Sequence, residues 1–142
     1  MDVKRNRAAD VLVGYAADRE GRGIAYVVLA TAGGRSIVRV SFATPPLALH
    51  GGREFGYAAV AAVGSELSRR GFSRVRLRLS DEAIVHDLAA PRVVAPALAM
   101  PYVKARCALN GFSAARVERA DPRETADLCG RASAELHLRT AA

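Results

Sequence analysis

Four carboxylates stand at points of this chain where an α/β fold could gather them. Asp18 closes the apolar run Asp10-Val-Leu-Val-Gly-Tyr-Ala-Ala-Asp18, and Asp81 follows the alternating run Arg74-Val-Arg-Leu-Arg-Leu79. Glu54 opens a long stretch of helical periodicity, and Asp127 lies in the first turns of a last one. Mixed sheets hold ligands near the carboxyl ends of their strands, so acids at strand ends are the first candidates. Four carboxylates meeting at one sheet edge repel one another unless cations neutralise them. Hard oxygen donors select Mg2+ or Mn2+, and two such ions about 4 Å apart stabilise both the attacking water and the leaving oxygen in phosphodiester hydrolysis. Taken alone, each of these acids reads as a solvated surface residue. The chemistry therefore depends on the elements that carry them.

Those elements can be read along the chain. Asp10 to Asp18 reads as a buried strand, Gly23 to Ala30 as its hairpin partner after an Arg-Glu-Gly-Arg turn, and Ser36 to Phe42 alternates as a third strand. From Glu54 to Arg70, the residues Phe55, Ala59, Ala62, Val63 and Leu67 recur at helical spacing, and Gly71 supplies the stop. Arg74 to Leu79 has period two, so Val75, Leu77 and Leu79 share a face opposite Arg74, Arg76 and Arg78. A strand covered on both sides is apolar throughout, so the arginine face is expected to be thinly covered. A short helix carries Ile84, Val85 and Leu88, and a helix over Ala97–Asn110 contains Pro101, which is expected to kink or restart it. Phe112 to Arg119 holds a fifth strand, and Arg123 to about Leu138 a terminal helix. The order β-β-β-α-β-α-α-β-α predicts a mixed five-stranded sheet, three antiparallel strands followed by parallel ones, flanked by helices. The chain is expected to form one domain over 1–142 with a frayed basic start over 1–9, and the gap from Ala43 to Gly52 is long enough for a functional loop.

With 142 residues, 51% hydrophobic and 25% charged, the chain has the composition of a globular domain. Its 21 Lys and Arg against 14 Asp and Glu give a net charge of +7, which favours a polyanionic partner and equally fits an arginine-rich protein of no special partner. Cys107 and Cys129 lack a second Cys or a His at zinc-ligand spacing. No apolar run is long enough for a membrane span and no signal-like core follows the N-terminus, so a cytoplasmic location and no membrane partner are expected. Without Trp and with 6% aromatics, a base-stacking platform is poorly supported.

Three segments resemble the ribonuclease H family. Gly52-Arg-Glu-Phe-Gly-Tyr-Ala-Ala is similar to the family's acid-bearing helix start, which aligns Glu54 with its glutamate. Leu79-Ser-Asp-Glu-Ala-Ile-Val resembles the strand-to-helix segment that carries the central aspartate, here Asp81. Asp121-Pro-Arg-Glu-Thr-Ala-Asp-Leu resembles the entry to the last helix, which aligns Asp127 with the fourth acid. The first strand lacks the family's common Asp-Gly-Ser and long loop. It looks like the short-loop variant of retroelement-type domains, which assigns Asp18; in the longer-loop register Ala16 takes the acid position and the site loses a ligand. Asp121 stands where many members have a His, and the basic Trp-containing substrate handle of some members is missing. The resemblance implies an endonuclease that hydrolyses the RNA strand of RNA–DNA hybrids, with Asp18, Glu54, Asp81 and Asp127 holding two Mg2+ or Mn2+ ions and double-stranded RNA as a further possible partner.

Two other readings follow from the same residues. One is a catalytically degenerate binding module of this fold, and the Asp18 register decides between it and the enzyme. The other is a different nuclease of the superfamily, which fits Glu54 and the Ala126-Asp127-Leu128 helix entry less well. His50, beside Gly51 and Gly52, could reach a phosphate but reads more simply as an exposed residue. Gly21-Arg-Gly23 and Gly33-Gly34 read as hairpin turns. The arginines at 74, 76 and 78 read as a solvated face or as ion-pair donors before they read as a phosphate grip.

Overall fold

The computed structural model describes residues 7–44 and 52–141. Strands β1 (Ala8–Ala17), β2 (Arg22–Thr31) and β3 (Gly34–Ala43) form an antiparallel meander, followed by α1 (Arg53–Arg69), β4 (Arg74–Leu79), α2 (Glu82–Ala89), α3 (Ala99–Asn110), β5 (Ala114–Arg119) and α4 (Pro122–Ala141). The sheet order is β3-β2-β1-β4-β5, with β4 parallel to β1 and β5 parallel to β4. This is the mixed sheet that the alternation of strands and helices predicts. The frayed start expected over 1–9 lies outside the described residues up to residue 6, whereas Ala8 and Ala9 pair with Arg74 and Val75 inside the sheet. His50 and residues 45–51 of the expected functional loop also lie outside the described residues.

Period-two patterning divides the sheet's two faces. Val11, Val13, Ala25, Val27, Leu29, Val75, Leu77, Leu79 and Val117 form one core with Tyr57, Val60, Val63 and Leu67 of α1 and with Tyr102, Ala105 and Leu109 of α3. On the other face α4 lies on β1 and β2, where Ala132 and Leu136 pack with Ile24. The approach is close enough that a Cβ at Gly14 would stand 2.5 Å from Leu128 Cβ, so glycine lets the helix seat directly on β1. Because α4 covers β1 and β2, the arginine face of β4 is left to ion pairs. Arg76 Nε meets Glu118 at 2.6 Å and Arg78 Nη2 meets Glu124 at 2.9 Å.

Pro101 falls in the first turn of α3, where its missing N–H has no intrahelical partner to lose. The expected break comes earlier, as a separate 3-10 turn over Pro96–Leu98, and α3 begins at Ala99 rather than at Ala97.

Candidate functional site

The carboxyl ends of β1 and β4 lie side by side. Their parallel register runs to Val13 opposite Leu79, and two further residues bring Tyr15 level with Asp81. The Tyr15 hydroxyl donates to Asp81 Oδ2 at 2.9 Å, while Oδ1 of the same carboxylate accepts the Ile84 N–H at 3.3 Å and caps α2. Asp81 thus stands at the strand end where the sequence reading puts it, with both oxygens engaged by the chain itself. Burial of the Tyr15 ring, and then the Asp81 charge, push the phenol well above its ordinary value, so it stays a proton donor at any physiological pH.

Glu54 lies in the first turn of α1, where the helix dipole favours a carboxylate. The residue is only 8% exposed, and neither carboxylate oxygen has a hydrogen-bond partner among the described residues. Such a group is costly to keep buried, and a cation would relieve it.

Asp18 is engaged elsewhere and Asp127 is exposed. Asp18 lies three residues beyond Tyr15, about 10 Å further along at roughly 3.3 Å per residue. Its Oδ1 accepts the N–H of Glu20 at 2.9 Å and of Arg22 at 3.0 Å, and its Oδ2 meets Arg22 Nε at 3.0 Å. The carboxylate therefore organises the turn between β1 and β2. Desolvation raises its pKa, but the hydrogen bonds from Arg22 and Glu20 and the Arg22 charge outweigh that, and the net shift is downward. Ala16, the alternative acid position, is half-buried against the α4 side of the sheet.

Asp127 is exposed on α4. The residues of this helix that turn inward are Thr125, Leu128, Ala132 and Leu136, and Thr125 Oγ1 reaches Ser80 Oγ at 3.0 Å beside the end of β4. Asp121 caps the entry to α4 through the Arg123 N–H at 2.9 Å. Among the described residues, no group of three or more His, Cys, Asp or Glu is arranged to hold a metal ion. The donor set suits at most a cation on Glu54 or Asp81, and it does not fit a four-carboxylate, two-ion centre. Sequence reasoning missed Tyr15, which meets Asp81, and the separate pair of Ser80 and Thr125 beside the end of β4.

No family model and no curated protein matches the chain. Solved structures do. Ribonuclease H1 from the halophilic archaeon Halobacterium salinarum superposes with a TM-score of 0.73 at 17% identity, covering 92% of this chain and 98% of that one. The N-terminal ribonuclease H domain of Rv2228c from Mycobacterium tuberculosis gives 0.73 at 13% identity, covering 96% and 100%. LC11 ribonuclease H1, solved in complex with an RNA/DNA hybrid, gives 0.62 at 15% identity, covering 87% and 95%. This chain has the ribonuclease H-like fold.

Proposed function

We propose that this chain is a nucleic-acid-binding module of the ribonuclease H fold that takes RNA–DNA hybrids without cutting them. The observation that carries this reading is the engagement of Asp18, whose carboxylate is spent on its own hairpin turn rather than at the strand ends beside Asp81. A two-ion phosphodiesterase needs several carboxylates around one centre, because the paired cations must neutralise both the attacking and the leaving oxygen. Hybrid as the ligand is supported by the likeness to a structure solved with hybrid and by the net charge of +7, which provides phosphate attraction independent of sequence. The test is a hybrid-binding and cleavage assay at low salt with Mg2+, Mn2+ or EDTA, with double-stranded RNA as the competing duplex. Salt-sensitive binding with intact RNA in every condition is expected. Metal-dependent cleavage lost in Asp81→Asn would overturn the proposal.

A second reading is favoured by the buried, unpartnered carboxylate of Glu54. In it the chain is a metal-dependent endoribonuclease, and Asp18, Glu54, Asp81 and Asp127 come together around two Mg2+ or Mn2+ ions only with substrate bound. The same assay separates the two, since this reading requires cleavage that EDTA abolishes.

A further inference from the structure

We infer that the Tyr15 hydroxyl does at Asp81 what a divalent cation would otherwise do, so that the Asp81 carboxylate needs no metal ion. This deepens the non-cutting reading and rests on it.

An acid at a strand end in a partly buried site needs positive charge or hydrogen-bond donors. Here Tyr15 comes from the neighbouring strand at the position level with Asp81, and its O–H points at Oδ2 from 2.9 Å. The Ile84 N–H serves Oδ1, so the chain itself supplies a donor to each oxygen.

The ring is held in a fitted seat. Phe42 meets it edge-on with centroids 6.3 Å apart, and Gly56 of α1 leaves the space that the hydroxyl occupies, since a Cβ there would stand 2.9 Å from Tyr15 Oη and 2.4 Å from Ile84 Cγ1. Glycine at 56 and tyrosine at 15 thus complement each other in volume as well as in polarity. A carboxylate at position 15 would face Asp81 directly, and two acids so close would create the need for a cation that the tyrosine removes.

The experiment measures thermal melting and calorimetric titration with Mg2+ and Mn2+, against EDTA, for the wild type and for Tyr15→Asp, Tyr15→Phe, Asp81→Asn and the double variant Tyr15→Asp/Asp81→Asn. Asp81 is expected to contribute nothing to any divalent-ion response of the wild type, so the wild type and Asp81→Asn should shift alike on adding metal. Tyr15→Asp should gain a metal-dependent rise in Tm of about 3 °C or more at saturating Mn2+, which the double variant loses. Tyr15→Phe keeps the ring and frees one Asp81 oxygen; it should melt lower in EDTA and recover part of that loss in Mn2+. A wild type that responds to metal and ceases to do so in Asp81→Asn overturns the inference. So does a folded Tyr15→Asp that ignores metal. If Tyr15→Asp does not fold, Tyr15→Phe decides, and indifference to Mn2+ there also overturns it. A metal-indifferent wild type that fails to bind hybrid would sink the proposed function while leaving this inference standing.

Discussion

Arg39 on β3 closes on Glu135 of α4 across the intervening β2, its Nε standing 2.8 Å from each carboxylate oxygen and its Nη2 closing the second contact. The Tyr26 hydroxyl, on β2, donates to the same carboxylate at 2.5 Å. One glutamate thus ties the C-terminal part of α4 to two strands. These hydrogen bonds, and then the neighbouring positive charge, pull the Glu135 carboxyl from 4.5 to about 2. A depressed carboxylate contributes stability that is complete above its unfolded value and lost as pH falls through the folded one. Glu135→Gln is expected to cost about 1 kcal/mol at neutral pH, as a bidentate but partly solvated pair does. The difference from wild type should shrink between pH 4.5 and 2, as read by urea unfolding at a series of pH values.

A second polar knot is buried. The Tyr57 hydroxyl donates to Asp87 Oδ2 at 2.5 Å, with Arg53 at 3.6 Å and Arg92 at 3.7 Å from the same carboxylate, so α1, α2 and the segment before α3 meet on one side chain. Asp87→Ala leaves a buried phenol without its acceptor and is expected to destabilise by about 2–3 kcal/mol. Tyr57→Phe leaves the Asp87 carboxylate its Arg53 and Arg92 contacts and should cost less. Chemical denaturation of both variants checks the order, and equal losses would contradict it.

Two helical glycines should respond in opposite directions to alanine. At Gly56 a Cβ would lie 2.4 and 2.7 Å from the Ile84 side chain, so Gly56→Ala is expected to cost about 1–3 kcal/mol despite the gain in helix propensity. At Gly130 nothing lies within 4 Å, and Gly130→Ala should stabilise by about 0.5–1 kcal/mol. Thermal melts of the two variants test this directly.

These sites show what a single chain makes legible. Period two in Arg74–Leu79 and the 3.6 period after Glu54 depend on local patterning, and both elements lie where that patterning puts them. The opposing sides of β4 were legible too, and the thin cover over its arginines follows from α4 crossing β1 and β2. The pairing of Tyr15 with Asp81 was not, because parallel register joins positions 66 residues apart and leaves no local mark. The acids also drew weight away from geometry. Thr125, Leu128, Ala132 and Leu136 trace the inward stripe of α4 at helical spacing, and Asp127 lies off that stripe. Asp18 followed by Arg-Glu-Gly-Arg carries the mark of an aspartate that accepts from its own turn.

Asp18 is therefore where the proposed function and the enzyme reading differ most sharply. If its carboxylate serves the turn, Asp18→Asn keeps an oxygen for the Glu20 and Arg22 N–H groups and loses the exposed Arg22 Nε contact with its charge, for about 0.5 kcal/mol. Asp18→Ala loses all three bonds and should cost about 1–2 kcal/mol. The sign with pH follows from the depressed carboxyl. Its contribution is complete above the ordinary value of 3.8 and fades as pH falls through the lower folded value, so wild type and Asp18→Asn should converge in acid. Hybrid affinity should be unchanged in both variants, with Asp10→Asn, at an exposed residue 3.9 Å from Arg76, as the control that alters neither property. The enzyme reading expects instead a loss of roughly 10²-fold or more in single-turnover cleavage for Asp18→Asn with stability nearly intact, because a metal ligand acts on the transition state. Urea unfolding and cleavage measured on the same preparations decide between them. A stability loss in Asp18→Ala with no cleavage by the parent supports the binding module, and a cutting parent disabled by Asp18→Asn refutes it.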